Sequence, residues 1–316
     1  MDSNNQSSKE WKLIEKTMLQ LGVEQRRSRR WGVFFKVLTF SYLFALLFIM
    51  IEGFGDKKVG DAETYTALVD LRGVIAAGEE ASADFLVTGL RAAFEAEGTK
   101  AVILRINSPG GSPVQSGYVY DEIKRLRVLH PDTPLYAVIS DIGASGAYYI
   151  AAAADQIYAD KASLVGSIGV VASGFGFVGT MEKLGVERRL YTSGVNKAFL
   201  DPFSKEKDSE VQFWNGVLNK THEQFIAKVK EGRGDRLLID EDTFSGLIWN
   251  GEQALEKGFI DGLGSSSFVA REIVGEAEIV DFTPQPDPFE RFTKTLGVAA
   301  GNAMASVLNI GGFSMR

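Results

Sequence analysis

From residue 65 onward, hydrophobic positions follow two alternating rhythms. "YTALVDLRG", "KAVILRI" and "TPLYAVIS" are short apolar runs that predict strands, the last two continuous enough to be buried on both faces. "ADFLVTGLRAAFEAEG" carries apolar residues at helical spacing and stops at Gly98. "VQSGYVYDEIKRLRVL" and the stretch after Ser145 also read as helices. This alternation over residues 65–155 predicts right-handed βαβ units around a mainly parallel sheet, an α/β fold. "DSEVQFWNGVLNKTHEQFIAKVKEGR" (208–233) predicts one long amphipathic helix and "GEQALEKG" a short one, while "SFVAREIV" and "EIVDF" close the domain. The three prolines of "TPQPDP" mark its end.

The N-terminus has a different pattern. Residues 31–51, "WGVFFKVLTFSYLFALLFIMI", are mostly apolar and carry no charge except Lys36, which can snorkel. About 20 such residues span a bilayer. Arg26, Arg27, Arg29 and Arg30 precede the run, and only Lys57 and Lys58 come after it before Arg72. The positive-inside rule then keeps residues 1–30 in the cytoplasm and exports the chain beyond the apolar run. A cleaved signal peptide is the rival, with Gly53-Phe54-Gly55 as a weak cleavage site. The expected organisation is a basic tail (1–30), a transmembrane anchor (31–53), a linker (54–64), a globular domain (65–282) and a C-terminal tail (283–316).

Composition narrows the chemistry. Among 316 residues the net charge is −7, which argues against nucleic acid as a partner. There is no cysteine, so disulfides, thiol nucleophiles and thiolate metal sites are excluded. Two histidines are too few for a zinc site, and no P-loop offers a nucleotide site. No metal, nucleotide or other cofactor is expected.

In such sheets, sites lie where strands hand over to helices. Two glycine-rich turns qualify: Asn107-Ser108-Pro109-Gly110-Gly111 and Gly143-Ala144-Ser145-Gly146. A serine at a helix start beside exposed backbone N–H groups has the parts for acyl transfer. Each turn alone also reads plainly, Ser145 as an N-cap and the Gly-Gly pair as a tight turn. A serine nucleophile needs a base. His130 reads as a turn residue and His222 as a helix-surface residue, and the sequence around Ser145 misses the G-x-S-x-G elbow. Lysine is the remaining base. Its usual pKa of about 10.4 falls when it is buried without a counter-ion. Lys197, in "TSGVNKAFL", is a candidate that composition alone does not single out.

Four separated stretches, "RINSPGG", "ASGAYYIAAAAD", "ADKASLVGSIGV" and "YTSGVNKAFLDPF", together resemble the signal peptide peptidase A (protease IV) family in its short, single-unit form. The likeness spans roughly residues 65–275 and includes the 52-residue step from Ser145 to Lys197. It implies a crotonase/Clp-protease-like βαβ superhelix behind one transmembrane helix. It implies Ser145 as nucleophile, Lys197 as general base, Ser167 as a hydrogen-bond partner of the lysine, and an oxyanion hole from Gly110 or Gly111 with Gly146. It also implies a ring-like homo-oligomer in the cytoplasmic membrane that degrades remnant signal peptides on the exported side. In that ring the serine and lysine of each site come from neighbouring subunits. Ala147 departs from the family, which commonly has a second glycine there. "GSSS" at 264–267 has no counterpart in the family's motifs and reads as a surface turn. The alternatives are a related membrane protease acting on misfolded proteins, an acyl-CoA enzyme of the crotonase type, and a non-catalytic scaffold.

Overall fold

The computed structural model describes residues 63–285 and, in the N-terminal segment, Lys16, Met18, Arg27, residues 29–45 and Phe48. The chain divides into two units, residues 1–58 and 59–316. In the first, residues 29–45 form a helix, α1, whose side chains are exposed. Among the described residues no helix is long and apolar enough to cross a membrane. The rest of the expected anchor, nearly all of the linker and the tail beyond Gln285 lie outside the described residues.

The second unit is built on three parallel strands, β1 (Tyr65–Arg72), β2 (Thr99–Ser108) and β3 (Leu135–Ala144). Alternate residues of these strands feed two cores. Ala67, Val69, Val102, Leu104, Ala137 and Ile139 enter the larger one. It is closed by α2 (Ala83–Glu95), α3 (Pro113–Leu129) and α4 (Gly146–Ala151), through residues such as Leu86, Leu90, Ile123 and Ile150. Leu68, Ile103 and Val138 face the other way, against Val269 and Ala270. Those two belong to the π-helical turn after α8 (Ser266–Phe268). Full burial on both faces is why these strands read as continuous apolar runs. Arg105 interrupts the run on β2, and its guanidinium grips Asp70, its register partner on β1, at 2.6 and 2.7 Å.

Beyond β3 the sheet forks. The first half of β3 pairs with β4 (Gln156–Ala159), and its last three residues pair with β5 (Leu164–Gly166). β4 carries β7 (Gly262–Leu263) in parallel, while β5 carries β6 (Ile248–Asn250) antiparallel. β8 (Ile279–Asp281) closes the opposite edge against β1. The fork separates the end of β3 from β4, so the turn at Ser145 emerges beside β5.

Between Ile168 and Glu210 no residue is buried. This arm contains α5 (Val178–Leu184) and is held mainly by its own contacts, Phe177 stacked on Phe203 and Arg188 paired with Asp201. It rests on α6 (Asp208–Arg233) through Phe199, whose ring meets Phe213 and Trp214. The long helix runs over the residues its pattern predicts, but only Glu210, Phe225, Val229 and Arg233 are buried. After β6 comes α7 (Gly251–Glu256), started by a capping box between Asn250 and Gln253.

Candidate active site

Ser145 joins β3 to α4 with φ +53° and ψ −124°, a conformation few residues other than glycine adopt. Such strain costs about 1–3 kcal/mol and persists only where the surroundings impose it. Its surroundings do so. The N–H of Ser145 donates to Gly166 O at 2.8 Å, and its carbonyl accepts from Tyr149 N–H at 2.9 Å. Ser145 also fails the plain N-cap reading, because its hydroxyl makes no capping bond. Ser112 and Ser265, at the starts of α3 and α8, do cap with theirs.

The 107–111 turn lies directly on this elbow. A Cβ added to Gly110, at φ +96°, would stand 2.7 Å from both Ala144 O and Gly146 N. A Cβ on Gly146 would stand 2.5 Å from Ser116 Oγ and 3.3 Å from Gly111 N. The glycines are there because the two backbones touch. Their N–H groups have different fates. Gly110 N–H donates to Ser108 Oγ at 3.1 Å. Ile75 takes the carbonyl of Gly110 and the N–H of Ser112, which turns the intervening N–H of Gly111 away from Ile75, on a nitrogen that lies against the elbow at Gly146. There it meets no acceptor among the described residues. The N–H of Gly146, in the first turn of α4, is likewise unclaimed. Of the alternatives Gly110 and Gly111, only Gly111 has an N–H without an acceptor among the described residues, as Gly146 does.

These groups open into a cleft of about 460 Å³. Ser145, Gly111, Gly146 and Ser167 line it, with Tyr149 and Phe225 among its apolar residues and Gln224 and Ser116 among its polar ones. Among the described residues no charged side chain lines it. Ser167, the second serine, also holds φ +53°, with its N–H on Leu247 O at 2.7 Å. Burial raises the phenol of Tyr149 above its ordinary value and keeps it neutral.

Lys197 is not among the lining residues. It is exposed on the arm, in a turn closed by its N–H to Gly194 O. Among the described residues its ammonium has no ion-pair or hydrogen-bond partner. Ala147 is fully buried in the main core, so its methyl faces away from the cleft. His130 caps the end of α3 with its ring against Phe94. His222 departs from expectation: it is half-buried, and its Nε2 lies 3.0 Å from Ile168 O. "GSSS" starts α8, with Ser265 Oγ accepting from Phe268 N–H and Ser266 buried. No cluster of metal-ligating residues occurs among the described residues.

Behind the elbow, α4 is pinned from below. Tyr148 is fully buried and its hydroxyl donates to Phe259 O at 2.7 Å. Nearby, Arg233 at the end of α6 grips Asp261 with two bonds, at 2.7 and 3.0 Å, and Asp261 also accepts from Ile157 N–H of β4.

Residues 128–279, which include Ser145, Ser167 and Lys197, match peptidase family S49. The putative signal peptide peptidase SppA of Enterococcus faecium is 30% identical over 233 residues, covering 73% of this chain and 67% of that protein. Protease 4 of Haemophilus influenzae is 30% identical over 219 residues, 67% of this chain and 34% of that protein. The Na(+)/H(+) antiporter NhaA of Brucella abortus is 39% identical over 252 residues, 78% of this chain but 34% of that protein. The chain thus spans about a third of the antiporter's length, and the likeness concerns that part of it alone. The likeness to the Enterococcus protein runs over two thirds of its length, and the family match takes in both turns that end β3 and β5: the chain belongs to peptidase family S49.

Proposed function

We propose that this chain is a serine endopeptidase with a Ser–Lys dyad. The carrying observation is the strained Ser145 elbow facing two unclaimed N–H groups, Gly111 and Gly146, in a cleft without charge. Ser145 Oγ attacks a peptide carbonyl in the cleft, and Lys197 Nζ accepts the hydroxyl proton. The carbonyl oxygen gains the negative charge and takes hydrogen bonds from Gly111 and Gly146. The C–N bond then breaks, and the departing amine takes the proton from Lys197. Water attacks the acyl-serine by the same route and regenerates Ser145. Ser167 supports the lysine.

Lys197 lies on an arm without buried residues and outside the cleft lining, so the reading includes a homo-oligomeric ring in which a neighbour's arm delivers the lysine. Exposed apolar side chains on the arm, Val171, Phe175, Tyr191 and Val195, support such packing. The forked parallel sheet supports the crotonase/Clp-protease-like assignment. The apolar N-terminal run with its arginine flank supports a single-pass anchor in the cytoplasmic membrane, with the domain on the exported side. Remnant signal peptides are the proposed substrate, since an uncharged cleft suits small and apolar side chains. Hydrolysis of casein and of fluorogenic apolar peptides by the full chain in detergent, beside Ser145→Ala, tests the reading. Equal rates in both proteins would sink it.

A further inference from the structure

Three consecutive residues around Ser167 are each held by a different element. Gly166 O accepts from Ser145 N–H, Ser167 N–H donates to Leu247 O, and Ile168 O faces His222 Nε2 at 3.0 Å. A carbonyl oxygen only accepts, so Nε2 carries the proton. His222 supplies the one side chain among these three holds. It sits on the inward face of α6, three residues before Phe225 and seven before Val229, both buried. Its neighbours Thr221 and Gln224 line the cleft, while His222 reaches past them to the backbone behind Ser167. Ser167 is at φ +53°, a conformation that relaxes unless it is fixed on both sides.

We propose that His222 is a positioning residue: its Nε2–H fixes the Ile168 carbonyl, hence the Ser167 turn and the group that Ser167 supports. The inference rests on the Ser145–Lys197 reading above. His222 touches neither the nucleophile nor the substrate. It acts through the turn, and any side chain that presents an N–H at the same reach should replace it.

The test compares wild type, His222→Leu and His222→Gln in the full chain in detergent. Leucine fills the space without a donor, and the glutamine amide can still donate. Should leucine not fold, His222→Asn, polar but too short to reach, takes its place. Amide hydrogen exchange requires no activity. Exchange over residues 164–169 should quicken in His222→Leu, stay near wild type in His222→Gln, and remain slow over β2 in all three. Unchanged exchange in His222→Leu would overturn the proposal. In turnover, His222→Leu should lose on the order of tenfold to a hundredfold in kcat at unchanged KM, as a small misplacement does. Added to Ser167→Ala it should cost nothing further, because both act through one turn. Wild-type kcat in His222→Leu, an additive loss in the double variant, or a glutamine variant no better than leucine would also overturn it. Absence of Ser145-dependent hydrolysis in the wild type marks failure of the protease reading instead, and the exchange comparison still decides the hold on the turn.

Discussion

The N–H of Ser145 donates to the carbonyl of Gly166 at 2.8 Å, and this bond ties together two turns whose serines, Ser145 and Ser167, share a φ of +53°. One turn ends β3 and the other ends β5, so the pairing of those strands brings the serines together. Neither strained turn is a local accident. Each is imposed by the sheet and by the backbone packed over it, and both open into the same cleft.

The proposed dyad gives the first prediction. Ser145→Ala and Lys197→Ala should each abolish turnover and leave the thermal midpoint unchanged. Neither residue contributes a large buried apolar contact. Lys197→Arg should be equally inactive, since a guanidinium does not give up its proton. Peptide hydrolysis beside thermal unfolding checks this, and substantial activity in Lys197→Ala would remove it as the base.

Gly110→Ala gives the second. The new methyl would press on Ala144 O and Gly146 N, both at 2.7 Å, and φ +96° is strained for alanine. The elbow must shift, and with it the donors at Gly111 and Gly146. A loss on the order of a hundredfold or more in kcat is expected, the scale of removing one oxyanion donor. A variant with wild-type kcat would show that this contact does not set the donor geometry.

Much of this architecture is legible in the sequence. β1 to β3 and α6 are, because their apolar residues recur at strand or helix period over eight or more positions. The fork is not: β4 to β7 have two to four residues each, too few for a period to register. Nor is the arm, whose apolar residues face outward in no repeating order. The sequence leaves Gly110 and Gly111 equivalent, because only the folded turn spends the N–H of Gly110 on Ser108 Oγ and, through the bridge to Ile75, turns that of Gly111 away from Ile75. His222 does carry a signal against its surface reading, since 222, 225 and 229 fall on one helical face.

Stability beneath the site should depend on Asp261. Burial alone would raise its pKa, but the hydrogen bond and charge of Arg233 outweigh that and hold it below the ordinary value. A lowered folded value means stability that is present above the unfolded pKa of about 3.9 and lost as pH falls through the folded one. Asp261→Asn leaves Arg233, 1% exposed, without its counter-charge, and should cost about 3 kcal/mol at neutral pH. Thermal unfolding from pH 7 down to pH 3 checks it: the gap to wild type should narrow at the acid end. A gap that stays constant with pH would mean the charge is not what stabilises.

The arginine flank sets the expected topology. A reporter active only outside the cytoplasm, fused after residue 60, should be active, and a cytoplasmic reporter fused there silent. The chain should keep its N-terminus and stay with membranes through a carbonate wash. A soluble species beginning near residue 56 in fresh cells would mean that the apolar run is a cleaved signal.

The position of Lys197 makes the strongest demand. The cleft holds a strained serine and two N–H donors, yet no base lines it among the described residues, and the lysine sits on an exposed arm. If a neighbour's arm completes each site, Ser145→Ala and Lys197→Ala chains are each dead alone but not together. Dissociated, mixed and reassembled, they form some sites that pair the intact Ser145 of one chain with the intact Lys197 of the other. Random mixing around a ring should restore about a quarter of wild-type activity, because each site then draws an intact serine half the time and an intact lysine half the time. Native mass measurement must show both chains in one assembly. No recovery in such assemblies would mean that serine and lysine come from the same chain, and that the arm folds back over its own cleft.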